Sequence, residues 1–132
     1  YHTVIFLDYY LTFPPSSFLS ALPFSVAEPE QLSSDAVDDL VPDRIYTKAE
    51  LLNYLELSRE KAFMIISGLT EATLQNRFIE EQDAKNPMNY SLLEILLYNM
   101  RHVQHHVAQL NLILRQAIDD SPGWISRVEK KK

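Results

Sequence analysis

Four histidines carry most of the chemistry this sequence can offer: His2 near the start, and His102, His105 and His106 within five consecutive residues far downstream. At about 100° per helical residue, His102 and His106 stand about 40° apart on one helix face, so both imidazoles can reach a single ion. Gln109 continues the same edge one turn later. His105 lies about 60° from His102 and about 100° from His106, which leaves it outside that convergence as a surface or neighbouring residue. The third ligand must come from another element, and His2 is the histidine that remains, beside Ile5, Phe6 and Tyr9. Two helices packed side by side would bring the three together.

Three neutral imidazoles suit zinc or nickel first, with iron(II) as the alternative, and they leave a position open for water or substrate. Such an ion lowers the pKa of bound water to about 7 or holds a thiolate ready for attack. The chain has no cysteine, which excludes disulfides, thiolate ligands, iron–sulfur clusters and a cysteine nucleophile. Any thiol must be brought from outside. Glu94 precedes His102 by eight residues, so the Glu-x-x-His spacing of di-iron bundles is absent. Helical histidine pairs also occur with no metal nearby; the third histidine, on an apolar helix, adds weight to this pair.

The elements that must position these residues read as helices. Tyr1 to Leu11 is largely apolar until Pro14 and Pro15, which predicts a first helix over about 1–11. Five of the seven prolines fall between Phe13 and Arg44, which predicts a long connection with a helical turn near Leu32 to Leu40. Thr47 and Glu50 form a capping-box signature, with Tyr46 and Leu51 as its apolar staple, and open a helix over about 47–67. Gly68 suits a left-handed helix end. A short helical segment near Thr70 to Glu81 and a turn at Asn86-Pro87 follow. Ser91 and Glu94 repeat the capping box and begin the last helix, whose stripe of Leu93, Leu96, Leu97, Met100, Val103, Val107, Leu110 and Leu114 continues to about Ile118. No internal repeat or strand-pairing signal is evident. The expected domain is a single bundle over 1–121 followed by a tail over 122–132.

The segment His102-Val103-Gln104-His105-His106-Val107-Ala108-Gln109-Leu110 resembles the DinB-like superfamily of metalloenzymes, whose last bundle helix carries His-x-x-His-His-x-x-Gln. Tyr1-His2-Thr3 with Phe6-Leu7-Asp8-Tyr9-Tyr10-Leu11 looks like that family's second helix, where its first ligand resides. The resemblance implies an all-α, up-down four-helix bundle with metal ligands His2, His102 and His106, with Gln109 near the site and His105 a companion outside the ligand set. It also implies that the family's first helix is missing here, and that the natural protein carries roughly 30 or more residues upstream to cover the apolar stripe left bare. Characterised relatives include thiol-dependent transferases and isomerases using bacillithiol or mycothiol.

The function expected is therefore a metal-dependent enzyme that transfers a low-molecular-weight thiol to a small-molecule electrophile. A metal-dependent hydrolase, with Asp8 or Glu94 as base, and a non-catalytic metal-binding or interaction bundle are the alternatives. Net charge is −6 even with the basic Lys130, Lys131 and Lys132, and six acids from Glu28 to Asp43 precede the first base at Arg44. That balance repels a phosphate backbone, so no nucleic-acid partner is expected. No apolar run approaches the roughly 20 residues a membrane helix needs, and no signal segment opens the chain, so a cytoplasmic setting is expected. Apolar faces on long helices make a homodimer the expected assembly.

Overall fold

The computed structural model describes residues 1–32, 34, 39–81 and 87–126. In chain order the described elements are α1 (His2–Tyr9), β1 (Phe24–Val26), β2 (Leu40–Pro42), α2 (Lys48–Ser67), α3 (Glu71–Leu74), β3 (Arg77–Ile79), β4 (Asn89–Ser91) and α4 (Leu92–Ile118), with single 3-10 turns at Pro15–Ser17 and Pro29–Gln31. The all-α, up-down four-helix bundle expected from the sequence is therefore overturned. The fold is mixed: four helices are joined by two antiparallel two-stranded sheets, β1 with β2 and β3 with β4. Among the described residues, only α2 and α4 are long, with 20 and 27 residues.

Both long helices begin where local chemistry dictates. Thr47 accepts a hydrogen bond from the Glu50 amide while the Glu50 carboxylate takes the Thr47 amide at 2.8 Å, and Ser91 and Glu94 repeat the exchange at the head of α4. The ends differ from expectation. Gly68 closes α2 with φ −92°, so the left-handed position expected there is not used. It appears instead after α4, where Asp119 takes φ 55°, a conformation that Asp tolerates better than most residues. At α1 the regular turns stop at Tyr9, and Leu11 and Thr12 donate to the Asp8 and Tyr9 carbonyls in tighter i→i+3 turns.

The helix expected over 70–81 is cut to the single turn of α3, and the chain then extends. Phe78, fully buried, sits between exposed Arg77 and Ile79, the period-two pattern of a strand with one face on the core, and pairs opposite Tyr90. The long connection also contains a hairpin-like pair, with Ser25 opposite Val41. The helical turn expected near Leu32 to Leu40 lies largely outside the described residues, as does Asn86 of the expected turn; Leu40 itself is in β2. Tyr1 and Tyr46 tie this connection to the start of α1: their rings stack at 5.4 Å, and their hydroxyls donate to the Leu22 and Pro23 carbonyls respectively.

The core gathers Tyr10, Phe78, Leu92 and Ile95, with Phe6, Tyr9 and Leu96 packed against it. The buried face of α4 is thus Leu92, Ile95 and Asn99. Much of the stripe expected inside a bundle points outward instead: Leu97, Met100 and Leu110 are each more than half exposed, while Leu96 stays against the core. α4 carries two apolar faces, and α1 packs on only one. Among the described residues, no helix is long and apolar enough to cross a membrane.

α1 touches both α2 and α4, and a buried polar cluster fixes it on the α2 side. Asp8 receives the Tyr54 hydroxyl at 2.8 Å and the Lys61 ammonium at 2.6 Å, and Lys61 also donates to the Thr12 hydroxyl at 2.6 Å. Ser20 donates to the Tyr54 oxygen at 3.1 Å. Burial, and after it the Asp8 carboxylate, pushes the Tyr54 phenol above its ordinary range, so it remains a donor. On the α4 side, the Asn99 side-chain amide donates to the Leu7 carbonyl at 3.0 Å. Together these contacts set the depth and rotation of the helix that carries His2.

Candidate metal centre

The arrangement begins with one turn of α4. His102 and His106 follow one another along it, their rings edge to face with centroids 4.6 Å apart, and α1 lays His2 across both. The His2 Nε2 stands 3.1 Å from the His102 Nε2 and 3.0 Å from the His106 Nε2. All three side chains are half-buried, and one ligand atom from each lies within 4.8 Å of the others. Among the described residues, no other His, Asp or Glu joins this group.

Gln109 holds the far side of one of the three. Its Oε1 lies 2.7 Å from the His106 Nδ1. With the amide oxygen as acceptor, Nδ1 is the donor, and the neutral tautomer this contact favours directs the Nε2 lone pair toward His2. A ligating histidine is commonly held in this way, with its far nitrogen donating to an oxygen that fixes both tautomer and ring orientation. His105 turns away from the convergence, with its ring edge-on to His106 at 5.1 Å. Within α4, His102 and His106 share one face and His105 stands beside it.

The donor set fits a divalent ion. Nitrogens bound to one tetrahedral zinc at about 2.0–2.1 Å stand about 3.3–3.4 Å apart. The two observed separations, 3.0 and 3.1 Å, are a few tenths of an ångström shorter, a gap that small side-chain rotations close. Imidazole lone pairs facing one another at this distance repel unless a proton or a metal ion lies between them. The half-buried rings leave the centre reachable from solvent, which suits an ion with an exchangeable position.

Aromatic side chains wall the other side. The Phe6 ring is 4.8 Å from that of His2 and 5.7 Å from that of His102, and the Tyr10 ring meets His102 edge-on at 5.8 Å. The sequence marked Phe6 as a neighbour of His2, but Tyr10 was not legible as a wall because its contact crosses from α1 to α4. Burial first, then contact with Tyr98, pushes the Tyr10 phenol above its ordinary range. Tyr9 is displaced in the same direction by burial and by its hydrogen bond to Glu80, 2.7 Å long. Both are uncharged phenols at neutral pH.

The two carboxylates considered as a hydrolytic base are committed elsewhere. Asp8 is buried against Lys61 and Tyr54. Glu94 caps the first turn of α4, two turns before His102, where the Ser91 amide holds its carboxyl below the usual range. No family model, curated protein or solved structure matches this chain.

Proposed function

We propose that the chain binds one divalent metal ion, zinc or nickel before iron, through the Nε2 atoms of His2, His102 and His106, and that it is a metal-dependent enzyme acting on a low-molecular-weight thiol. The observation that carries this reading is the convergence of three imidazole nitrogens, with His2 Nε2 at 3.0 and 3.1 Å from the other two and the far nitrogen of His106 against the Gln109 oxygen. The likeness of His102–Leu110 to the last helix of DinB-like proteins supports the same assignment and suggests the thiol. When bound, the ion supplies Lewis acidity that lowers the pKa of a coordinated thiol into the neutral range.

The roles of the chain's own residues follow from their positions. His2, His102 and His106 hold the ion, Gln109 orients His106, and Phe6 and Tyr10 exclude water from the inner side of the centre. In the reaction, sulfur forms a bond to the electrophilic carbon, the leaving group departs with its electron pair, and the thiol proton passes to solvent. Hydrolysis is less well supported, because neither Asp8 nor Glu94 is placed to activate water. One observation favours a second reading: the outward apolar face of α4 is what an interaction module with a purely structural ion would present.

The test is thiol consumption in the presence of a haloaromatic electrophile, using chain loaded with zinc or nickel. Turnover that disappears in a His106→Ala variant of unchanged helicity supports the reading. Metal uptake without thiol consumption across a panel of thiols and electrophiles overturns the enzymatic part and leaves the structural ion.

A further inference from the structure

The sector of α4 next to the histidine face carries a second feature. Tyr98, Arg101, His102 and His105 line a cavity of ≈ 250 Å³, so one wall of the proposed metal centre is also a wall of this cavity. A second cavity of ≈ 550 Å³ shares Tyr98 and Arg101 and extends over Leu97 and Met100, with Glu94 and Gln104 also in its lining. Arg101 stands between the two.

Its bonding is unlike that of the other described arginines. Arg44 pairs with Glu50, Arg59 with Glu56, Arg77 binds Asn89 and Arg115 binds Ser121. Arg101 has none of these partners; its guanidinium lies over the Tyr98 ring, 5.3 Å from the centroid. Stacking on one face of the guanidinium leaves its edge donors available, and that fork matches a carboxylate bidentately. In a chain of net charge −6, an arginine with no hydrogen-bond or ion-pair partner among the described residues, beside the three-histidine cluster, is out of keeping with the other described arginines.

The geometry points to a substrate subsite: Arg101, backed by Tyr98 and flanked by His105, binds the carboxylate of a thiol whose sulfur reaches the metal centre across His102. The larger cavity has room for the less polar remainder of such a molecule. This rests on the metal-and-thiol reading above and narrows its substrate class to carboxylate-bearing thiols. His105, outside the ligand set, thereby gains a role as a second polar wall.

The experiment uses the full chain loaded with cobalt(II), whose visible absorption changes when it gains a sulfur ligand. Mercaptocarboxylates with two to five methylenes are titrated against mercaptoalcohols of equal length, in native chain and in Arg101→Gln and Arg101→Lys variants. At one or more lengths the native chain should prefer the carboxylate by about tenfold, which is about 1.4 kcal/mol. Arg101→Gln should abolish the preference with cobalt content unchanged, and Arg101→Lys should keep part of it, because a point charge remains without the fork. Equal affinities at every length, or a preference that survives Arg101→Gln, overturns the subsite while leaving the metal centre standing. A chain that takes up no cobalt, or cobalt but no thiol, overturns the reading on which the subsite rests and the subsite with it.

Discussion

Asp8→Ala tests the idea that α1, and with it His2, is held in place by a buried ion pair. In the native chain the Asp8 side chain is 11% exposed and that of Lys61 is 31% exposed, with 2.6 Å between their charged atoms. Removing one partner of a fully buried pair costs about 3–5 kcal/mol, because the other charge is left desolvated. Water still reaches the Lys61 ammonium, so the expected loss is smaller, about 2–3 kcal/mol. In a domain of this size, that lowers Tm by about 10 °C. Lys61→Met alone strands the carboxylate and should cost about as much. The double variant strands neither charge, so its loss should not exceed that of either single variant, leaving a coupling of at least about 2 kcal/mol in a double-mutant cycle. Urea unfolding followed by circular dichroism measures all three variants. Strictly additive losses, or single losses under about 0.5 kcal/mol, would refute the claim that this pair anchors α1.

Three further outcomes follow from individual contacts. Gln109→Leu removes the acceptor that fixes the His106 tautomer and should weaken zinc binding about tenfold in competition with a chelating dye, the low end of the usual range because the contact is exposed; unchanged affinity would show that Gln109 is incidental. Ser91→Ala should cost about 1 kcal/mol in thermal stability through loss of the α4 cap, and a loss below about 0.3 kcal/mol would mean that packing alone sets the helix start. Hydrogen bonds from Arg44, and then from Thr47, hold the Glu50 carboxyl down at about 2. This folded-state pKa lies below the unfolded value, so the contribution is complete above the ordinary carboxylate range and is lost as pH falls through about 2. Glu50→Gln should therefore flatten the acid limb of the stability–pH curve in that window, and an unchanged limb would contradict the assignment.

What could be read from the sequence was whatever short-range chemistry determines. The capping boxes at Thr47–Glu50 and Ser91–Glu94 depend on residues three apart, and both formed where expected. Likewise, the i, i+4 relation of His102 and His106 is fixed by helix geometry, and His2 was reached as the histidine left over. Tertiary partners were harder to read. β3 and β4 are three residues each, too short for alternation to stand out, and only the pairing of Phe78 opposite Tyr90 makes them strands. Two apolar faces on α4 made the outward stripe at Leu97 and Met100 look like core, when Leu92, Ile95 and Asn99 are the buried set. Asp8 was read as a possible base because sequence shows a carboxylate but not the Lys61 and Tyr54 that enclose it. Arg101 drew no attention for the same reason: that no described residue hydrogen-bonds or ion-pairs with it is visible only once the other described arginines have found partners.

The central claim is that three histidines from two helices hold one ion. The most direct measurement is elemental analysis of chain purified without a metal-affinity column, comparing the native form with a His102→Ala, His106→Ala double variant whose fold is checked by circular dichroism. The account predicts about one zinc, nickel or iron per native chain and none in the variant. Metal-free native chain that stays metal-free when offered zinc, or a folded double variant that keeps its ion, would contradict it.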